Sequence, residues 1–247
     1  LVIVLTVFFW KTTVGLRIRA VGENESAAKS VGLNVMKYKY IALLIAGTAC
    51  AQAVYREQRR TLFELLPVRS SDIVFLGNSI TDGCEWDELF DNRHIKNRGI
   101  CSDRTTDVLG RLDPIIEGHP KRLFLMIGIN DLISGASPDE VLANIGRLID
   151  RFQAESRWTK IYVQSILPVN GESFAKFKNH YEHGRQIVPL NKRLEALCDE
   201  KEVTYLDVWG ALADHEGRLD KRYTNDGLHL TGEGYVVWRD AIKQHVK

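Results

Sequence analysis

Short apolar runs, each bounded by turn residues, recur along most of the chain. They fall at 73–76, 94–98, 122–127, 160–167 and 203–206. Runs of this length that contain β-branched and aromatic residues are typical of buried strands. The pattern therefore predicts five strands, of which the second is the least apolar.

Amphipathic segments separate these runs and predict helices. The clearest begins at Ser137-Pro138-Asp139-Glu140, where a capping serine, an early proline and a glutamate at the third helical position mark a helix start. Its apolar side chains repeat on one face at Val141, Ile145, Leu148, Ile149 and Phe152. Two more helices are expected, from about residue 188 and after Thr231. Strands that alternate with helices predict a three-layer α/β/α domain around a five-stranded parallel sheet.

The beginning of the chain has a different character. Two apolar stretches without a charge lie at 1–10 and 40–55, and the first 53 residues hold six basic residues but only two acidic ones. Both stretches are shorter than the roughly 20 apolar residues that span a membrane. We therefore expect an N-terminal hydrophobic region at 1–53 and a globular domain at 54–247.

Two interpretations of residues 1–53 are open. From Met36 the sequence MKYKYIALLIAGTACAQA has the basic start, apolar centre and A-x-A ending of a secretory signal peptide. The overlapping sequence GLRIRAVGENESAAKSVGLNVMKYKYIALLIAG resembles a cytoplasmic loop and the following helix of sugar- or nucleoside-type ABC importer permeases. We expect a signal peptide, a membrane anchor or a permease-like fragment here. Either interpretation places residues 54–247 outside the cytoplasm, periplasmic or secreted, and allows membrane attachment.

Composition argues against several classes of protein. Lys and Arg total 33 against 32 for Asp and Glu, so the formal net charge of +1 provides no electrostatic basis for binding nucleic acid. The four cysteines form neither a CxxC pair nor the spacing of zinc ligands. We therefore expect no nucleic-acid partner, no metal site and no disulfide framework.

Polar residues follow several of the predicted strands, and parallel sheets carry their sites at the carboxyl ends of strands. Gly77-Asn78-Ser79-Ile80-Thr81-Asp82 follows the first strand, Gly99 the second and Gly128-Ile129-Asn130-Asp131 the third. Asp226-Gly227-Leu228-His229 precedes the last helix. Taken singly, the serine is interpreted as a helix N-cap and the others as turn residues. Their order and placement together favour one shared site.

Ser79, His229 and Asp226 supply the groups that acyl transfer requires. A serine hydroxyl becomes a good nucleophile when a neighbouring base takes its proton, and His229 is the candidate base. Asp226 orients the imidazole and stabilises its protonated form. The oxyanion of the tetrahedral intermediate needs fixed donors, for which we expect the backbone N–H groups of Ser79 and Gly99 and the side-chain amide of Asn130.

These blocks resemble those of the SGNH (GDSL-like) hydrolase family in order and spacing: Ser79 in GNSIT, then Gly99, Asn130 in GIND and His229 in DGLH. The resemblance extends over nearly all of 54–247 and is strongest to exported acetylesterases of the family. Asn replaces the Asp of the family name, and the sequence CSDRTT departs from the more usual GDTT-like one. The resemblance implies a flavodoxin-like sheet, hydrolysis through an acyl-serine, no metal and no organic cofactor.

We therefore expect a serine esterase that hydrolyses short acyl esters, chiefly acetyl esters, of a small molecule or a carbohydrate. A lysophospholipase or thioesterase is the alternative within the family. A membrane transport permease, with 1–53 as its functional part, and a non-catalytic binding domain are alternatives from other classes. His180 and His183 lie in a polar segment that we expect to be a solvated loop flanking the cleft, and Trp86 either lines the pocket or packs in the core.

Overall fold

The computed structural model describes residue 8 and residues 10–246. The chain divides into two compact units, Leu1–Glu57 and Gln58–Lys247. Among the residues described, no helix is both long enough and apolar enough to cross a membrane. The apolar stretch 1–10 lies almost wholly outside these residues, and the signal peptide or anchor predicted within 1–53 stays a prediction.

Three helices begin the described chain: α1 (Thr13–Glu23), α2 (Glu25–Ser30) and α3 (Val35–Leu65). The division between the two units falls within α3. Thr12 caps α1 and Asn24 caps α2, because each side-chain oxygen accepts a hydrogen bond from a first-turn N–H, at 3.0 and 2.9 Å. The small core of the first unit consists of Val21, Ala28, Val35 and Tyr38.

Five parallel strands form the centre of the second unit. They are β1 (Ile73–Gly77), β2 (Ile95–Gly99), β3 (Arg122–Met126), β4 (Lys160–Gln164) and β5 (Thr204–Leu206). Their order across the sheet is β2-β1-β3-β4-β5, and every neighbouring pair is parallel. The chain runs from β1 to the edge strand β2 and then returns past β1 to β3, β4 and β5. Because crossovers between parallel strands are right-handed as a rule, this change of direction puts the connecting helices on both faces of the sheet. The predicted three-layer fold with a five-stranded parallel sheet is confirmed.

Strand β4 is shorter than the apolar run that predicts it. The run continues to Leu167, but the ladder ends at Gln164. Beyond that point the backbone N–H and carbonyl of Ile166 bond to the side chain of Asn191, each at 2.9 Å. A side-chain amide therefore replaces a neighbouring strand there, and the apolar residues continue as a buried loop.

The helices of the second unit lie between the strands and after the last one. They are α4 (Ser79–Asp82), α5 (Trp86–Leu89), α6 (Thr105–Leu109), α7 (Asp113–Ile116), α8 (Ile129–Ile133), α9 (Pro138–Glu155), α10 (Lys178–Gly184), α11 (Ile187–Glu200), α12 (Trp209–Leu212), the 3₁₀ helix Lys221–Tyr223 and α13 (Gly232–Val246). The capping box predicted for α9 is confirmed, because Ser137 and Glu140 exchange hydrogen bonds at 2.7 and 3.2 Å. Helix α10 was not predicted.

A row of stacked aromatic rings crosses the middle of the three central strands. Phe75 of β1 stacks on Phe124 of β3 with centroids 4.9 Å apart, and Phe124 stacks on Tyr162 of β4 at 4.6 Å. Trp86 stacks on Phe75 at 4.4 Å, meets Trp238 edge-on and is fully buried. Trp86 is therefore a core residue and does not line the pocket.

Candidate active site

Ser79 lies where β1 ends and the short helix α4 begins. A Cβ on Gly77, the last residue of the strand, would lie 2.3 Å from the Thr81 hydroxyl oxygen, so only glycine permits this sharp turn. Asn78 is the N-cap, because its Oδ1 accepts a hydrogen bond from a backbone N–H of α4 at 3.0 Å. The alternative interpretation of Ser79 as the cap is therefore wrong. The side chain of Ser79 is half-buried and does not cap the helix.

A continuous hydrogen-bonded chain joins Ser79 to two residues far away in the sequence. Ser79 Oγ lies 3.0 Å from His229 Nε2, and His229 Nδ1 lies 2.9 Å from Asp226 Oδ2. The carboxylate also accepts the backbone N–H groups of Leu228 and His229, at 3.0 and 2.8 Å. The three residues predicted as nucleophile, base and orienting acid are thus brought together at one edge of the sheet.

The surroundings of Asp226 keep it ionised. Burial raises the pKa of Asp226, but hydrogen bonds from the His229 ring and from two backbone N–H groups outweigh burial, and the net pKa lies below the ordinary value. An ionised carboxylate only accepts hydrogen bonds, so His229 Nδ1 carries a proton and donates it to Asp226. Nε2 then presents a lone pair to the Ser79 hydroxyl, which is the arrangement a general base requires.

A tight turn sets the spacing between Asp226 and His229. The Thr224 hydroxyl accepts the N–H of Gly227 at 2.9 Å, and Gly227 adopts a left-handed φ of 85°. A Cβ at Gly227 would also lie 2.2 Å from the carbonyl oxygen of Asn170. Both the conformation and the close approach therefore require glycine at this position.

Two of the three predicted oxyanion donors have suitable positions in their elements. The N–H of Ser79 belongs to the first turn of α4, where backbone N–H groups have no helical acceptor. Asn130 lies at the start of α8, and its amide nitrogen donates one hydrogen bond to the carbonyl oxygen of Asp103 at 2.9 Å. A side-chain amide carries two hydrogens, so this bond orients the group and leaves a second donor.

Gly99 has a different environment from the one we predicted. Its N–H donates to Asn97 Oδ1 at 2.8 Å, and a Cβ there would lie 2.3 Å from the backbone nitrogen of Asp82. The amide of Asn97 in turn donates to the carbonyl oxygens of Thr81 and Cys84, each at 2.9 Å. Gly99 therefore fastens β2 to α4, and its N–H would have to give up or share an existing bond to bind an oxyanion. The close approach gives Gly99 a packing role, and its part in the oxyanion donor set stays a prediction.

Comparison with known proteins places this geometry in a family. Residues 75–237 match the GDSL-like lipase/acylhydrolase family, and this match covers most of the chain. The chain belongs to this family. Residues 75–237 are therefore the centre of a carboxylic ester hydrolase domain, as the sequence motifs predict.

Several relatives of this GDSL-like domain are known. The human platelet-activating factor acetylhydrolase IB subunit alpha2 is 28% identical over 174 residues, which cover 68% of this chain and 72% of the relative. An N-acylneuraminate cytidylyltransferase of Escherichia coli is 28% identical over 181 residues, but the chain spans only 41% of its length. A Streptococcus pneumonia protein described as a platelet activating factor has a similar structure, with a TM-score of 0.77, 29% identity and coverage of 83% and 99% of the two chains.

The start of the chain has a separate likeness. Residues 1–53 match the permease component of branched-chain amino acid transport systems. The predicted resemblance to an importer permease is thus confirmed, although the matched family transports a different substrate from the sugar and nucleoside importers we compared. The match ends before β1 of the GDSL-like domain.

Some residues that hold the site together were not predicted. Asp103 is fully buried and accepts a hydrogen bond from Arg111 Nε at 2.8 Å, which fixes the loop whose carbonyl orients Asn130. Asp131 accepts the N–H and the hydroxyl of Thr105, and burial raises its pKa against the effect of these bonds. The signal available in the sequence was the carboxylate of Asp131, which directly follows Asn130 in the motif.

The segment that contains His180 and His183 is not a fully solvated loop. Part of it forms α10, and the Phe177 ring packs edge-on against both His180 and His229, with centroids 4.9 and 5.3 Å away. Burial, with a smaller contribution from nearby His229, lowers the pKa of His180 to about 4. In the part of the chain that the structure describes, no group of three or more His, Cys, Asp or Glu side chains is arranged to hold a metal ion.

Proposed function

We propose that the GDSL-like domain hydrolyses short acyl esters, chiefly acetyl esters, through an acyl intermediate on Ser79. The observation that carries this proposal is the chain of two hydrogen bonds, 3.0 and 2.9 Å long, from Ser79 through His229 to Asp226. A capping or turn role for these residues would not require a serine hydroxyl and an imidazole 150 positions apart to meet. Nucleophilic catalysis does require it.

The first half of the reaction forms the acyl-serine. His229 Nε2 takes the hydroxyl proton while Ser79 Oγ attacks the ester carbonyl carbon, and Asp226 stabilises the imidazolium. The carbonyl oxygen becomes an oxyanion, which the N–H of Ser79 and the second amide hydrogen of Asn130 stabilise. When the intermediate collapses, His229 returns the proton to the departing alkoxide and the alcohol leaves.

The second half releases the acid. A water molecule gives a proton to His229 Nε2 as its oxygen attacks the acyl carbon, and the same donors stabilise the second oxyanion. Collapse returns the proton to Ser79 Oγ and frees the carboxylic acid. No metal or organic cofactor takes part in this scheme.

The preference for an acetyl group is supported by one relative in particular. The human relative is named as an acetylhydrolase of platelet-activating factor. A lysophospholipase or thioesterase would use the same catalytic groups on a longer acyl chain. Acyl-chain length is therefore the property that separates these reactions.

The experiment compares the full chain with Ser79→Ala and His229→Ala on para-nitrophenyl acetate, butyrate and octanoate. We expect the highest kcat/KM for the acetate, and a loss of about 10⁵-fold or more in kcat for each variant. Ser30→Ala is the control, because Ser30 is an exposed residue of α2 whose hydroxyl donates to the backbone carbonyl of Ala27, and its kcat should stay at the wild-type value. Activity retained by Ser79→Ala would refute the acyl-serine scheme, and a preference for octanoate would refute the acetyl assignment.

A further inference from the structure

A segment outside the catalytic residues, residues 170–184, is fastened to the turn that carries His229. Asn170 anchors its first end, donating its N–H to the carbonyl of Gly227 at 2.8 Å and its side-chain amide to the carbonyl of Leu219 at 2.9 Å. Glu172 accepts the hydroxyl of Tyr181 at 2.9 Å and pairs with Arg218. We call this segment the aromatic arm; these bonds hold it against the histidine side of the site.

The aromatic arm presents two rings beside the catalytic base. The Phe177 ring lies 5.3 Å from the His229 ring, centroid to centroid, at an angle of 72°. His180 lies 4.9 Å from Phe177 at 81°. Both side chains are half-buried, and burial lowers the pKa of His180 to about 4, so its ring is uncharged at neutral pH. The base is therefore bordered by two uncharged aromatic rings, and the exposed Lys176 ammonium lies 5.2 Å from the centroid of the Phe177 ring and 3.8 Å from Asp226 Oδ2.

The proposed reaction fixes which half of an ester meets this surface. The acyl oxygen must lie at the N–H of Ser79 and the amide of Asn130. The departing oxygen must lie at His229 Nε2, which returns the proton to it. The alcohol half therefore extends from Nε2 past the rings that border His229, while the acyl half points toward the oxyanion donors.

We propose that Phe177 and His180 form the binding site for the alcohol half of the ester, and that this site selects alcohols that present an apolar ring face, such as a pyranoside. This inference rests on the proposed acyl-serine mechanism. A pyranoside carries C–H groups on its ring faces and hydroxyls around its edge. An aromatic ring packs on such a face, and a neutral imidazole both donates to and accepts from hydroxyls. A short open-chain alcohol offers neither contact.

The test varies the alcohol while the acyl group and the type of ester bond stay constant. The substrates are ethyl acetate and a methyl glucopyranoside with one acetyl ester on its primary hydroxyl, both acetates of primary alcohols. For the unsubstituted chain we expect the sugar ester to have the higher kcat/KM. Phe177→Ala should lower kcat/KM for the sugar ester about tenfold, and for ethyl acetate less than about threefold. Phe177→Leu keeps an apolar side chain but no ring. Its kcat/KM for the sugar ester should fall between those of the unsubstituted chain and Phe177→Ala.

The control variant is Trp158→Ala, which removes an aromatic ring that is 82% exposed. It should leave kcat/KM unchanged for both acetates. The thermal midpoint of each variant shows whether it folds; if Phe177→Ala does not fold, Phe177→Leu and His180→Gln carry the test. Equal losses on both acetates would overturn the inference, and so would an altered preference between para-nitrophenyl acetate and butyrate. Ser79→Ala is measured beside them: if it keeps its activity, the proposed mechanism fails, whatever the ratio for Phe177→Ala.

Discussion

The serine side of the site, formed by β1, α4 and the ends of β2 and β3, is held by close packing. A Cβ on Gly77 or Gly99 would lie 2.3 Å from a neighbouring heavy atom, which leaves no room for any side chain. Behind them, Phe75 and Trp86 are fully buried and stack on each other. The nucleophile is therefore fixed by the same contacts that form the core.

The histidine side, formed by the aromatic arm and residues 219–231, contains two buried leucines and is otherwise held by polar contacts. Asp226 accepts two hydrogen bonds from His229 and one from Leu228, while Asn170 and Arg218 fix the arm. Its rings are only half-buried. Segments with few buried apolar contacts open at lower free energy than a packed core. The difference teaches that the nucleophile depends on packing, whereas the base and its neighbours depend on individual hydrogen bonds.

After His229→Ala, the substitution with the largest expected effect on the histidine side is Asp226→Asn. An asparagine Oδ1 can still accept the N–H groups of Leu228 and His229, so the turn should persist. Its amide, in place of Oδ2, would donate to His229 Nδ1 and force the wrong tautomer. We expect kcat on para-nitrophenyl acetate to fall about 10⁴-fold with little change in the thermal midpoint.

Asp220→Asn provides the matched control for Asp226→Asn. Asp220 caps the 3₁₀ helix nearby and pairs with exposed Arg222, outside the hydrogen-bonded chain. Asparagine also caps helices, so kcat should be unchanged. If Asp226→Asn kept more than a tenth of the activity, the tautomer argument would be wrong.

Asn130→Ala tests the serine side through an oxyanion donor. Removal of one such donor costs about 2.7–4 kcal/mol of transition-state stabilisation, so kcat should fall about 10²–10³-fold. The hydrogen bond to the Asp103 carbonyl is also lost, with about 1 kcal/mol of folding stability. Steady-state kinetics and urea unfolding separate the two losses. A purely structural role for Asn130 would leave kcat within about threefold of wild type.

Much of this arrangement was predictable because its signals are local. The strands are short apolar runs, α9 begins with a capping box, and Ser79 and Asn130 lie two and four positions after the ends of β1 and β3. Asp226 and His229 lie three positions apart, a spacing that one turn can hold together. Residues that are adjacent in the sequence or end neighbouring strands can be placed without knowledge of the side-chain packing.

What was missed depends on contacts between distant segments. Nothing near Phe177 in the sequence indicates that its ring meets His229, which lies 52 positions later. The packing role of Gly99 was missed for a related reason, because a strand-end glycine looks the same in the sequence whether or not it admits a close backbone neighbour. Only the position of Asp82 and the bond to Asn97 reveal that role.

Gly99→Ala is expected to break the close packing of the serine side. The added methyl would meet the backbone of Asp82, which cannot move without shifting α4 and Ser79. We expect a loss of about 1–3 kcal/mol in the free energy of unfolding, measured in urea. Gly110→Ala is the control, because a Cβ there meets nothing closer than 3.6 Å and its φ of −72° suits alanine. Equal stabilities for the two variants would contradict the packing argument.

His180→Gln carries the smallest expected effect and exposes the pH sensitivity of the histidine side. His180 has a pKa of about 4 in the folded chain, against an ordinary value of 6.5, because burial and His229, with His183 adding to them, oppose its protonation more than Asp226 favours it. Between these two values the unfolded chain binds more protons, so wild-type stability falls as the pH drops through this window.

The loss should be absent above about pH 7, where both states are neutral, and complete near pH 4. Glutamine cannot take up this proton. The fall in thermal midpoint between pH 7 and pH 5 should therefore be about 2–4 °C smaller in His180→Gln than in the wild type, a modest value because solvent partly screens a half-buried ring. His215→Gln, at an exposed histidine, should fall as the wild type does. If the thermal midpoints of His180→Gln and the wild type fall by the same number of degrees, the surroundings of His180 do not hold it neutral. The description of His180 as an uncharged ring beside the base would then be wrong.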